Sequence, residues 1–232
     1  VVARPAEDGY EILLLERPLA SRFAAGAFVF PGGVVDADDE HPEWSARLPE
    51  VAGAEAATWV AAIRELFEET GILPAPVQDG VIARLDAARR ELLADRRSFS
   101  DIARELDLSF RDARLAYFAR WITPEELERR YDARFFFAAL PDASARVALT
   151  PEHVSGVWAS PVRALRLFRS GELPMLFPTW KTLEALAGHA SLEQALAAMR
   201  GATVRTVMPR LRVSGKSVHP VLPGEPGYDE AR

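Results

Sequence analysis

The stretch Arg64-Glu65-Leu66-Phe67-Glu68-Glu69-Thr70-Gly71-Ile72 decides how this chain reads. Trp59, Ile63, Leu66, Phe67 and Thr70 recur at helical spacing and share one apolar face. Glu65, Glu68 and Glu69 stand at i, i+3 and i+4, together on the opposite face. Gly71 supplies a left-handed stop, and Pro74 lies just beyond it. The spacing predicts a helix from about Ala54 to Thr70. Three carboxylates crowd its last turn, where the macrodipole favours cations. Like charges four apart also cost about 0.2–0.5 kcal/mol per pair. Arg64 offsets part of this by pairing with Glu68 at i+4. A solvated acidic face is one reading of the trio. The other is a site for a divalent cation, Mg²⁺ or Mn²⁺, which hard oxygen ligands suit.

Upstream lies Phe30-Pro31-Gly32-Gly33. Two glycines after a short strand permit a backbone shape and a close approach that other residues resist. With the acidic helix they resemble the Nudix hydrolase signature: a glycine, five residues, an acid, seven residues, then Arg-Glu-apolar-x-Glu-Glu-x-Gly-apolar. Gly33 stands at the glycine, and Arg64 to Ile72 fill the second half. Asp39 stands where the pattern has Glu, with Glu40 beside it. The gap from Asp39 to Arg64 is much longer than in the signature, so Glu40 to Glu55 reads as an insertion within it. The acid-rich run from Asp36 is expected to be a loop with one helical turn at most.

Arg17, Arg22, Gly26 and Phe30-Pro31-Gly32-Gly33 follow, in part, the spacing of the coenzyme A diphosphatase motif within the Nudix family. Leu15 and Pro18 depart from that motif. Two arginines before the glycine turn suit bidentate contacts to an anionic substrate; the plain alternative is surface arginines pairing with local acids. The run from Trp121-Ile122-Thr123-Pro124 to Arg130-Tyr131-Asp132-Ala133-Arg134-Phe135-Phe136 looks like the subgroup with an interrupted box.

Elsewhere the sequence alternates strands and helices. Glu11–Glu16, Ala27–Phe30, Leu115–Ile122 and Tyr131–Leu140 read as strands. Residues 80–107 read as helical, with Ser98 and Asp101 as a capping pair. This second insertion, about 80–110, is expected to cover the site, build a dimer contact or serve structure alone. Thr123-Pro124-Glu125-Glu126 signals a helix start. Glu152-His153 precedes a strand; the resemblance to Nudix enzymes, many of which carry an acid in this loop for the metal site or as base, makes Glu152 the candidate, and His153 reads as a surface residue or a base. Helices follow Ser160-Pro161, then over Thr179–Gly188 and Ser191–Arg200, and the tail from Val204 to Val221 alternates like strands.

The 232 residues are 49% hydrophobic and fit a single domain, 1–232, with inserts at about 40–55 and 80–110. A net charge of −6 argues against nucleic-acid binding. There is no cysteine, hence no disulfide, thiol catalysis or thiolate metal site. No apolar run approaches the ~20 residues that span a bilayer. Neither a signal segment nor a C-terminal Ser-Lys-Leu address is evident, and a cytoplasmic, membrane-free protein is expected.

The resemblance implies an α/β fold: a Nudix-type α/β/α sandwich with a mixed sheet and helical insertions. It implies metal-dependent hydrolysis of the diphosphate linkage of coenzyme A or an acyl-coenzyme A. ADP-ribose or another nucleoside diphosphate derivative is the rival substrate, and a non-catalytic nucleotide binder the rival class. Glu65, Glu68 and Glu69 become metal ligands, with a Gly33 or Gly32 carbonyl beside them. Arg64 orients Glu68 or another carboxylate. A metal-bound glutamate or Glu152 is the general base. Arg17, Arg22, Gly32 and Gly33 contact substrate. A homodimer is left open.

Overall fold

The structure is a computed structural model and describes residues 1–214 and 217–231. Its centre is β2 (Gly9–Glu16), whose Ile12, Leu13, Leu14 and Leu15 are all fully buried. A strand buried on both faces needs an apolar layer on each. Side chains alternate across the pleat, so Leu13 and Leu15 enter one core while Ile12 and Leu14 enter the other. β1 (Val2–Ala6) and β3 (Phe28–Val29) pair antiparallel with the two halves of one edge of β2. β6 (Ser155–Ala159) takes the other edge, also antiparallel. β5 (Asp132–Ala139) runs parallel to β1 and antiparallel to β4 (Leu115–Ile122), and β7 (Thr206–Val207) completes a mixed seven-stranded sheet. In β5, too, Phe136 and Ala138 face one layer, Phe137 and Ala139 the other.

The first layer holds the predicted helix, α2 (Ala56–Thr70), with α1 (Trp44–Arg47), α3 (Asp79–Leu92) and α4 (Phe99–Glu105) around it. Trp59, Ile63, Leu66, Phe67 and Thr70 are all buried, as the periodicity requires. The second layer is α5 (Pro161–Ser170), α6 (Phe177–Leu186) and α7 (Leu192–Gly201). Ser160, Ser98 and Ser191 cap their helices, each accepting from a backbone N–H three residues on. The tail forms a hairpin of β8 (Arg210–Ser214) and β9 (Ser217–Val221); positions 215 and 216 lie outside the described residues. The sandwich of a mixed sheet between helices, with helical insertions, is therefore the observed fold.

Two expectations are corrected. Asp36–Glu55 is not a mere loop: it forms two 3₁₀ turns and α1, and buries Trp44, Leu48 and Ala52. The reason lies far along the chain. Trp44 stacks on Phe99 at 5.2 Å, and Phe110 and Phe67 complete an aromatic cluster. The backbone N–H of Phe110 also donates to the carbonyl of Arg47 at 2.8 Å. The two insertions thus pack on each other and on α2. Second, Thr123-Pro124-Glu125-Glu126 opens no helix. It is the turn between β4 and β5, and the Thr123 N–H donates to the Tyr131 carbonyl at 2.9 Å. Pairing of the flanking strands overrides the local start signal.

Candidate active site

The acidic turn of α2 lies under the glycine turn that follows β3. Arg64 sits at the centre, buried, and binds Asp39 through two parallel bonds, Nε to Oδ1 and a terminal nitrogen to Oδ2, each 2.9 Å. The Asp39 side chain is wholly buried. Asp39 Oδ2 also accepts from the Asp36 N–H at 2.8 Å, closing a capping box on the first turn of the insertion. Arg64 further donates to the Val34 carbonyl at 2.8 Å, to Glu65 at 2.9 Å and to Glu68 at 3.3 Å. The long gap in the motif therefore leaves its two halves joined in space, through an ion pair that spacing alone put in doubt. Burial acts to lower the Arg64 pKa, but the bond and charge of Asp39 outweigh it and hold the guanidinium charged.

Glu69 takes the other side of the turn. Its Oε2 accepts from the Gly32 N–H at 2.9 Å. Gly32 has φ 149°, which a side chain rarely adopts. Gly33 lies against Glu65: a Cβ there would come within 2.4 Å of the carboxylate. Only glycine lets the backbone approach this closely. Burial pushes the Glu69 carboxyl up to about 8, with the charges of Glu65 and Glu152 adding to it against the Gly32 bond. Burial also raises Glu65 and Glu68, opposed by Arg64.

The macrodipole problem posed by the sequence has a local answer. Arg89, from α3, donates to the carbonyls of Phe67 at 2.8 Å and Glu68 at 2.6 and 3.0 Å, and to that of Ala148 at 2.6 Å. A cation thus caps the C-terminal end of α2 and ties it to the loop before β6. Nothing in the sequence marked Arg89 beyond its place among helical basic residues. Arg89→Met is expected to lower stability by about 1–2 kcal/mol. A chemical unfolding curve checks this; an unchanged midpoint would deny Arg89 the capping role.

The remaining candidates are placed as follows. Glu152 is exposed, and its charge acts on Glu69. His153 is not a surface residue: it is buried, its ring nitrogens have no hydrogen-bond partner among the described residues, and Nε2 lies 3.8 Å from Glu69 Oε1. Burial and the charge of Arg17 lower its pKa. The half-buried Arg17 donates to the Phe23 carbonyl at 3.2 Å and its charge reaches Glu69, while Arg22 is exposed. Asp38, in the acid run, faces no site; it accepts from the Ser100 N–H at 2.8 Å.

A divalent cation fits this donor set chemically. Half-buried and buried carboxylates of raised pKa are what a cation offsets, and Gly33 brings backbone up against the Glu65 carboxylate. Among the described residues no three His, Cys, Asp or Glu side chains already converge as ligands. Glu65 and Glu68 turn to Arg64, and Glu69 turns to Gly32.

Comparison with known proteins agrees with this architecture. Residues 46–186 match the family model described as the NUDT19 Nudix domain. Human "Acyl-coenzyme A diphosphatase NUDT19" is 26% identical over 97% of this chain and 74% of its own length. The chicken protein of the same name is 28% identical over 79% of this chain and 62% of its own. A crystal structure of a Nudix hydrolase from Alicyclobacillus acidocaldarius superposes with a TM-score of 0.67 at 28% identity, over 88% of this chain and 95% of that one. The acidic helix, the glycine turn above it and a matched stretch of more than half its length together make this chain a member of the NUDT19 Nudix domain family, within the Nudix hydrolases.

Proposed function

We propose that this chain, acting as a single domain, is a divalent-metal-dependent diphosphatase that hydrolyses the diphosphate linkage of coenzyme A or an acyl-coenzyme A. The observation that carries the reading is the carboxylate turn of α2 packed beneath Gly32 and Gly33, with Arg64 locked to Asp39. The relatives named as acyl-coenzyme A diphosphatases supply the substrate class.

Glu65, Glu68 and Glu69 hold the cation, Mg²⁺ or Mn²⁺, with the Gly33 carbonyl beside them. When bound, it supplies polarisation of phosphoryl oxygens and a more acidic water. Arg64, held by Asp39, fixes the directions of Glu65 and Glu68. A glutamate of the trio, or Glu152 at the rim, takes the proton from the attacking water. Arg17 and Arg22 meet the anionic part of the substrate. No helix among the described residues is long and apolar enough to cross a membrane, and a cytoplasmic setting is part of the proposal.

The test is product analysis of coenzyme A, ADP-ribose and a nucleotide sugar, each with Mg²⁺, with Mn²⁺ and with chelator. The expected result is metal-dependent release of 3′,5′-ADP and 4′-phosphopantetheine. Cleavage of ADP-ribose alone would keep the carboxylate site and remove the coenzyme A reading of Arg17 and Arg22. No cleavage of any of the three would overturn the proposal.

A further inference from the structure

Beside the glycine turn the chain forms a cleft of about 770 Å³, within the roughly 300–1,000 Å³ of small-molecule sites. Gly32 and Gly33 belong to its lining, and the same two glycines touch Glu69 and Glu65, so the cleft lies next to the carboxylate turn. Its walls are mainly apolar. α2 contributes Ala62, the β4–β5 hairpin Trp121, Ala133 and Phe135, α6 Phe177, and β8 Leu211.

The few charges on the lining leave a positive surplus. The carboxylate there is Asp132, which Arg120 holds at 2.7 and 2.8 Å. Arg134 is engaged as well, reaching Glu55 at 2.6 Å. Arg129 and Arg130 also line the cleft, and among the described residues neither has a carboxylate partner. Arg130 instead donates to the Thr123 carbonyl at 3.3 Å, and Arg129 lies over the Tyr131 ring at 5.5 Å. Apolar walls with unpaired arginines suit an anionic amphiphile. They suit the hydrogen-bonding edge of a nucleotide base poorly, because buried polar atoms need partners.

We infer that this cleft seats the apolar acyl arm of an acyl-coenzyme A while its diphosphate lies at the glycine turn. The inference rests on the diphosphatase reading and adds a preference to it: a longer acyl chain binds better, since each further methylene leaves water.

The test compares coenzyme A with decanoyl-coenzyme A on the full chain, by turnover with Mg²⁺ and by equilibrium binding without divalent metal, where nothing is cleaved. The acylated compound is expected to bind at least about tenfold more tightly and to show a correspondingly higher kcat/KM. Ala133→Phe narrows the cleft on β5, and Leu211→Glu places a charge on a different strand. Both are expected to abolish the preference while leaving coenzyme A itself within about twofold of wild type. Equal affinity for the two compounds, or a preference that survives in both variants, would overturn the acyl site. A binding preference without turnover of either compound would remove the diphosphatase reading and leave the acyl site standing.

Discussion

Glu69→Gln is expected to lower turnover at least ~100-fold while the unfolding midpoint stays nearly unchanged. The substitution keeps the shape and leaves a carbonyl oxygen to accept from the Gly32 N–H, so the turn retains its anchor. What it removes is the negative charge. One carboxylate's charge on a bound divalent cation is worth several kcal/mol, and ~100-fold corresponds to about 2.7 kcal/mol. Glu68→Gln is the companion, because Glu68 is more exposed and contributes even less to packing. Steady-state kinetics and a denaturation curve on each variant decide the matter. Turnover like wild type in either would count against the proposed metal site.

Arg64→Met should act on stability as well as on activity. The change leaves the Asp39 carboxylate fully buried with no partner for its charge. Removing one member of a buried pair costs about 3–5 kcal/mol, more than the intact pair contributes, because the survivor stays desolvated. Urea unfolding should show that loss. Replacing Asp39 by Leu in the same chain should recover part of it, since two apolar groups leave no charge stranded. Arg64→Lys should rescue little: an ammonium cannot reproduce the two parallel bonds to Asp39 and still reach Val34, Glu65 and Glu68. A loss below about 1 kcal/mol for Arg64→Met would mean that the pair does not hold the insertion to the helix.

Much of the architecture was legible because it is written in local periods. The apolar face of α2, the doubly buried β2 and the caps at Ser98, Ser160 and Ser191 each follow from neighbours a few residues apart. The Glu65, Glu68 and Glu69 trio was legible for the same reason. What escaped depends on partners distant in sequence. Trp44 looked like a loop residue because its stacking partners, Phe99 and Phe110, lie beyond α2. Asp39 was doubtful because twenty-five positions separate it from Arg64, and only the folded insertion brings them together. Arg89 and His153 owe their positions to tertiary packing, which no spacing rule encodes. The false helix start at Thr123 is the converse case: a strong local signal that strand pairing overrode.

The joining of the two insertions has a consequence for how the catalytic centre is kept intact. The carboxylate helix is clasped from three directions by segments that meet only once the chain has folded: Asp39 on Arg64, Arg89 on the helix end, and the aromatic cluster of Trp44, Phe99 and Phe110 against Phe67. Such a set opens as one cooperative unit rather than residue by residue. Neither insertion can be trimmed as a decorative loop, because losing one exposes the apolar face of the other. A partner, a protease or a destabilising substitution that loosened this remote brace would therefore silence the hydrolase without touching any of the proposed metal ligands, and its activity would follow the folding equilibrium of an appendage.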